Sequence, residues 1–203
     1  AGPLLRKTTV NEVVLQFVTT EAVDIQPLLS LQADLSEPLP STINCQRVKL
    51  SERVYVYLLS CLPQDQSLPK DQLIYYSVNV VTATGDAHSL QQLMPDVFYP
   101  EQQALSFFIP TAVSSLFFGS CRNPHYPSKD ALVVGDHFIG ENLTDLAKRP
   151  CVLVHGGDQV YLDDVSGPTL KAMHLLSKML HMPNEELPDE TITHSDFLHD
   201  DPS

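Results

Sequence analysis

The chain has 203 residues, a length typical of one large domain or two small ones. Its 12 Lys and Arg residues stand against 25 Asp and Glu residues, and the net charge of −13 excludes a basic nucleic-acid-binding patch. No apolar run approaches the roughly 20 residues that span a bilayer, and no signal-peptide pattern is visible, which together favour a cytoplasmic protein without a membrane partner.

Residues 1–112 are predicted to form β-structure. Runs of β-branched and aromatic residues at 11–20, 53–61, 72–82 and 104–109 predict strands, and prolines punctuate the connections between them. Short strands joined by stiff turns favour a β-sandwich of immunoglobulin-like size as the N-terminal domain. The tyrosines of the second and third runs are predicted to pack within the strands; they are Tyr55, Tyr57, Tyr75 and Tyr76.

The pattern changes over residues 113–183, which predict the opening strands and helices of an α/β domain. An apolar strand at 115–120 is followed by a partly helical stretch that Ser128 can cap, and a second apolar strand follows at 151–155. A strand, a crossover and a second strand favour parallel pairing. Residues 168–181 predict an amphipathic helix with Pro168 in its first turn.

Residues 184–203 are predicted to be an acidic tail or connecting loop. They include seven Asp and Glu residues and no Lys or Arg, so the preceding 183 residues carry a net charge of only −6. Such a composition is typical of a solvated segment.

The cysteines are too few for a disulfide framework. Cys45 and Cys61 could pair in an oxidising compartment, but reduced thiols are favoured. Cys151 is predicted to belong to the core of its strand.

Polar side chains follow both predicted α/β strands, and in such sheets ligands bind beyond the carboxyl ends of the strands. Asp158, preceded by two glycines, is a carboxylate suited to a hard metal ion, and the Tyr161 phenol three residues later can reach the same point. The structural alternative is that Asp158 caps a turn or the start of a helix and Tyr161 packs beneath it. Cys121 beside Arg122 is suited to act as a thiolate ligand or nucleophile, or is simply a small buried residue.

Other polar residues near these strand ends allow several roles. Asp163 and Asp164 either orient the metal ligands through hydrogen bonds or cap the next helix. His125 and His155 flank the strand ends and are candidate site residues, but no HExxH or HxxxH spacing occurs. The stretch 154–157 is similar to the HGG oxyanion loop of esterases, yet no Gly-x-Ser-x-Gly motif follows it.

Four motifs occur in a fixed order between residues 115 and 165. They are Phe118-Gly119-Ser120-Cys121-Arg122-Asn123-Pro124, Asp130-Ala131-Leu132, Arg149-Pro150, and Gly157-Asp158-Gln159-Val160-Tyr161-Leu162-Asp163-Asp164-Val165. Together they resemble the alkaline phosphatase D-like metallophosphatases, in which a GSCR strand end and a GDQIYADDV strand end follow an N-terminal β-sandwich. The resemblance covers about a quarter of the chain.

The resemblance implies a phosphoester hydrolase that activates water with two metals, Fe³⁺ beside a second divalent ion such as Ca²⁺. It implies that Cys121 and Tyr161 are ligands of the iron and that Asp158 bridges the two metals. Arg122 is expected to contact the phosphate of a small phosphoester substrate.

The same resemblance implies that the site is incomplete, because metallophosphatases use a later Asn-His turn and further ligands, and no Asn-His dipeptide occurs in this chain. The chain is therefore expected to be the N-terminal portion of a longer enzyme and to have little activity without the C-terminal part of the same polypeptide. A half-built sheet is also expected to expose apolar surface and to aggregate or dimerise. The alternative function is a non-catalytic β-sandwich interaction module.

Overall fold

The computed structural model describes residues 1–64, 67–122, 130–158, 161 and 165–183. The strands in these ranges are β1 Leu4–Thr9, β2 Glu12–Thr19, β3 Asp24–Ser30, β4 Ser41–Ser51, β5 Val54–Pro63, β6 Leu73–Val81, β7 Ala87–Ser89, β8 Leu105–Phe108, β9 Leu116–Gly119 and β10 Val152–His155. The helices are α1 Leu90–Leu93, α2 Ala131–Glu141 and α3 Gly167–Met179, with a 3₁₀ turn at Pro95–Val97.

Two antiparallel sheets make up the N-terminal part. The first has the strand order β1-β2-β5-β4, and in the second β3 and β6 pair while β7 and β8 both pair with β6. Alternate residues of β2, β5 and β6 point into one shared core, with Leu15, Leu59 and Ile74 fully buried at its centre. This architecture is compatible with the predicted β-sandwich, and the four strands predicted in this region are confirmed with small shifts of their ends.

β1, β3, β4 and β7 were not predicted. β3 contains Pro27, which has no N–H to donate to a ladder, but the strand lies at the edge of its sheet and pairs only with β6 among the described strands. β4 has no clear alternation of apolar and polar residues, and most of its residues are exposed.

The cysteines of the first sheet are not paired with each other. Cys45 is exposed opposite Leu59 on β5, whereas Cys61 is buried opposite Ile43 on β4. Burial raises the pKa of the Cys61 thiol to about 12, because the apolar core disfavours the thiolate.

The predicted parallel pairing of the two α/β strands is confirmed, since β9 and β10 pair in parallel from Leu116 opposite Val152 to Gly119 opposite His155. The predicted cap of the intervening helix was wrong: α2 begins at Ala131 and its N-cap is Asp130, whose side chain accepts the Leu132 N–H, while Ser128 lies outside the described residues.

The position predicted for Cys151 was also wrong. Cys151 lies just before β10 and is only half-buried, and its thiol donates to the Ser115 carbonyl at 3.2 Å. It therefore helps to join the start of β10 to the chain before β9 rather than filling a core.

Polar connections attach the α/β part to the β-sandwich at several points, including the Ser51 hydroxyl, which donates to the Leu180 carbonyl at the end of α3. The Arg149 guanidinium donates to the Ser106 hydroxyl at 2.9 Å, to the Ser106 carbonyl at 2.7 Å and to the Leu143 carbonyl at 2.9 Å. The Tyr99 hydroxyl donates to the Asp136 carboxylate of α2 at 2.6 Å. Because Arg149 immediately precedes Pro150 and β10, its contacts with β8 set where β10 begins.

The α/β elements leave much apolar surface exposed. Phe118 of β9 is 70% exposed and Met179 of α3 is 65% exposed, and none of the residues of α2, β10 or α3 is fully buried. The helix predicted at 168–181 is thus formed, but its apolar face is not covered within the described part of the chain. None of the helices in the described ranges has the length and apolar character needed to cross a bilayer.

The Tyr57 hydroxyl is predicted to stabilise the β-sandwich. Tyr57 is 1% exposed, and its hydroxyl oxygen accepts the Val23 N–H at 2.8 Å across the two sheets. Replacing Tyr57 by Phe should lower the free energy of unfolding by about 1 kcal/mol, because a half-buried N–H loses its acceptor. Urea denaturation measures this change; Tyr55→Phe is the matched control, and equal losses in both variants would contradict the prediction.

Candidate metal centre

The polar residues after β9 and β10 are brought together because the two strands are parallel and end at the same edge. Backbone hydrogen bonds continue past the strands, from Cys121 N–H to the Gly157 carbonyl at 3.2 Å and from Arg122 N–H to the Asp158 carbonyl at 2.8 Å. The Tyr161 N–H then donates to the Arg122 carbonyl at 3.2 Å. These bonds hold the two loops side by side.

Both loops begin with an uncommon backbone conformation. Cys121 has φ of 57° and Asp158 has φ of 48°, in the left-handed region that residues with a Cβ seldom adopt. Gly157, between β10 and Asp158, has φ of 129°, which favours glycine. Such conformations cluster at functional sites because the surrounding structure must impose them.

Three predicted site residues meet at one carboxylate oxygen. The Cys121 thiol lies 3.7 Å from Asp158 Oδ2, and the Tyr161 hydroxyl donates to the same oxygen at 3.2 Å. The Ser120 hydroxyl lies 3.6 Å from the Cys121 sulfur and completes a short polar chain. The strand-end residues predicted from the sequence as metal ligands are therefore adjacent in space.

The pKa of the Tyr161 phenol depends on its two neighbours in the cluster, Cys121 and Asp158. Hydrogen bonding to Cys121 and Asp158 raises the pKa of the Tyr161 phenol, because both partners stabilise the protonated hydroxyl and repel a phenolate. All three side chains are exposed to solvent or half-exposed. Without a cation the phenol therefore stays neutral, whereas a bound cation would favour the phenolate.

Arg122 points to the start of α2. Its Nε and Nη2 atoms donate to Asp130 Oδ2 at 3.1 and 2.6 Å, and Asp130 Oδ1 accepts the Leu132 N–H at 3.0 Å. The Arg122 guanidinium holds the pKa of the Asp130 carboxyl below its usual range. The sequence reasoning missed this partner, although Asp directly before an apolar helical stretch is itself an N-cap signal.

Of the remaining predicted site residues, His155 lies within the described ranges. His155 is the last residue of β10, exposed and paired with Gly119 across the two strands. Asp163, Asp164 and His125 lie outside the described residues.

The donor set of this cluster is compatible with one metal ion rather than a complete two-metal centre. It combines a sulfur, a carboxylate and a phenol, and within the described ranges no group of three or more His, Cys, Asp and Glu side chains converges. Thiolate and phenolate suit Fe³⁺, and the carboxylate suits either Fe³⁺ or a divalent ion.

Neither a scan against models of protein families nor a search of curated proteins gave a match to this chain.

Proposed function

We propose that the chain carries the first ligands of a metal-dependent phosphoester hydrolase of the alkaline phosphatase D-like kind. The observation that supports this proposal is the convergence of Cys121 and Tyr161 on Asp158 Oδ2 at the shared end of two parallel strands. Two of these residues, Cys121 and Asp158, also have left-handed backbone conformations, which a capping role alone does not require of both loops at once.

The three side chains would hold Fe³⁺, with Asp158 also available to a second divalent ion such as Ca²⁺. When bound, such a metal pair supplies Lewis acidity that activates water and neutralises the phosphoryl oxygens. The chain's own contribution is to place one sulfur and two oxygen donors at a fixed strand edge and to crowd three groups that are anionic when deprotonated. A trivalent cation relieves that crowding better than a divalent one, because its charge balances all three anions.

Arg122 is proposed to contact the phosphate of the substrate. Its guanidinium is held by Asp130 through Nε and Nη2. An arginine fixed in this way loses less conformational entropy when it binds an anion. Asp130 would therefore act as a positioning residue that links the start of α2 to the site.

The substrate class proposed is a small phosphomonoester or phosphodiester, because a protein of net charge −13 repels polyphosphate backbones. The further ligands that a two-metal centre requires are proposed to come from a C-terminal continuation of the same polypeptide. Metal binding, rather than turnover, is therefore the property to test in the 203-residue chain.

The test is a titration of the chain with ferric ion under reducing-agent-free, anaerobic conditions, followed by visible absorption. We expect a charge-transfer band from thiolate and phenolate bound to iron. Tyr161→Phe should remove the phenolate component, because it deletes the phenol oxygen. Cys121→Ser should remove the sulfur component, because it replaces the sulfur with a hydroxyl oxygen.

The matched controls are Tyr55→Phe and Cys45→Ser, which change a tyrosine and an exposed cysteine of the first sheet. Both should leave the band unchanged. An unchanged band in both Tyr161→Phe and Cys121→Ser, or no band in the wild-type chain, would contradict the proposal.

The second candidate function, a β-sandwich interaction module, is supported by the exposed residues of β4, which pairs only with β5 among the described strands. It predicts no dependence of folding or binding on metal. Thermal unfolding with and without ferric ion separates the two functions, since only the metal site raises the melting temperature through ligand binding.

A further inference from the structure

We propose that the cleft between β1, β8 and the start of β10 binds the phosphate group of a small anion. The cleft has a volume of about 320 Å³, near the lower end of the range for small-molecule sites. Residues from three separate parts of the chain line it, namely 5–8, 106–108 and 149–151. The proposal does not rest on the metal centre, because the cleft adjoins the residues before β10, whereas Asp158 follows that strand.

The cleft lies where the outer strands of the two sheets meet the α/β part. Among the described strands, β1 pairs only with β2 of the first sheet, and β8 pairs only with β6 of the second. Residues 149–151, which lead into β10, form the remaining side. Donors on three separate segments suit the tetrahedral oxygens of a phosphate, whereas the two oxygens of a carboxylate lie in one plane.

The cleft is cationic in a protein whose net charge is −13. Its described lining residues include the cations Arg6, Lys7 and Arg149 and no Asp or Glu. The Lys7 ammonium is paired with the Glu12 carboxylate at 2.5 Å, whereas neither arginine forms an ion pair with a described carboxylate. Two unbalanced positive charges match a phosphate group, which carries about −1.5 to −2 at pH 7.

Arg149 is a half-buried cation whose described partners are all uncharged. Its Nη atoms donate to the Ser106 hydroxyl and to the Ser106 and Leu143 carbonyls, and its Nε–H has no described acceptor. No buried side-chain nitrogen in the described ranges lacks a partner, so Nε is reachable from solvent. Burial lowers the pKa of Arg149, because the guanidinium is partly removed from water, and a bound anion would stabilise its charge.

Two hydroxyl groups add neutral donors to the cleft. Thr8 and Ser106 both line it, and both are half-buried. The Ser106 oxygen accepts an Arg149 N–H at 2.9 Å, and neither hydroxyl donates to another residue in the described part of the chain. Each hydroxyl can therefore donate its proton to a bound oxyanion.

A β-bulge places Arg6 and Lys7 on the same cleft. Leu5 lies opposite Leu15 and Lys7 opposite Val14, so Arg6 is an extra residue without a partner on β2. In a regular strand two consecutive side chains point to opposite faces, yet Arg6 and Lys7 both line the cleft. Bulges redirect side chains in this way and are frequent next to active sites.

The test is isothermal titration calorimetry of the metal-free chain with inorganic phosphate, with the ionic strength held constant by chloride. We expect saturable binding of a single phosphate per chain. Arg6→Met should weaken this binding about tenfold, the low end of the range for a hydrogen bond to a charged group. Arg6 is exposed, so the variant should fold like the wild-type chain. Arg47→Met is the matched control, because Arg47 is an exposed arginine on β4, at the other end of the same sheet, and its loss should leave phosphate binding unchanged.

A second variant is expected to bind phosphate more tightly than the wild-type chain. Glu12→Gln removes the carboxylate that pairs with Lys7, which adds a third unbalanced cation to the cleft. The affinity should rise roughly two- to fivefold, the range for an exposed ion pair. A variant that only disturbed the fold would not tighten binding.

Titrations with glycerol 3-phosphate and acetate identify the anion. Tighter binding of glycerol 3-phosphate than of inorganic phosphate would support recognition of a phosphate ester, and the reverse order would support recognition of the free ion. Acetate, a planar monoanion, should bind more weakly than either. Equal affinities of Arg6→Met and Arg47→Met for phosphate, acetate binding as tight as phosphate binding, or no saturable phosphate binding by the wild-type chain at millimolar concentrations would overturn the proposal.

Discussion

Replacing Arg149 by Met is expected to lower the free energy of unfolding by about 2–3 kcal/mol, the range for losing hydrogen bonds from a charged donor. The half-buried guanidinium bonds the Ser106 hydroxyl and two carbonyls, those of Ser106 and Leu143, and Met keeps much of its length but cannot donate. Burial lowers the pKa of Arg149, yet the guanidinium remains protonated at neutral pH. The variant is therefore destabilised because the two carbonyls stay partly buried from water and no longer have a hydrogen-bond donor.

The measurement is thermal unfolding followed by circular dichroism, where a loss of 2 kcal/mol corresponds to about 4–8 °C in a chain of this size. Arg6→Met removes an exposed arginine of β1 and serves as the control, with a change near zero expected. Arg149→Lys should recover only part of the loss, because an ammonium cannot bond both residues with the geometry of a guanidinium. Equal melting temperatures for Arg149→Met and Arg6→Met would contradict the prediction that the hydrogen bonds of Arg149 to β8 stabilise the fold.

Replacing Asp158 by Asn is expected to weaken ferric-ion binding by at least about 100-fold, since even groups that only orient metal ligands are worth up to that factor. Asp158 Oδ2 is the point at which the Cys121 thiol and the Tyr161 hydroxyl meet. Asn keeps the size of the side chain and also tolerates the left-handed backbone, so the change removes charge rather than fold.

The affinity is measured by competition with a chelator of known strength. Asp145→Asn is the matched control, because Asp145 is a surface carboxylate that pairs with Lys148 and precedes β10, whereas Asp158 follows it. It should leave the affinity unchanged, whereas a similar affinity in Asp158→Asn and the wild-type chain would refute the metal site. Arg149→Met should weaken binding less than Asp158→Asn, since it shifts the start of β10 without deleting a donor.

Sequence alone predicted the elements whose signals are local. Alternating apolar and polar residues identified β2, β5 and β6, and two short apolar runs separated by a crossover predicted the parallel pair β9 and β10. The parallel pairing also brought Cys121 and Asp158 to one edge, because both follow strands that run in the same direction. The hydrolase assignment and its metals remain a prediction.

Only the tertiary structure decided the features that depend on partners distant in the chain. β4 has little strand pattern of its own and exists because it pairs with β5, and β3 tolerates Pro27 because it lies at a sheet edge. Likewise, no local pattern shows that Arg122 bonds Asp130, that Arg149 bonds β8, or that α3 ends beside Ser51. Periodicity reports which face of an element is apolar, whereas these contacts are set by where packing places each element relative to the others.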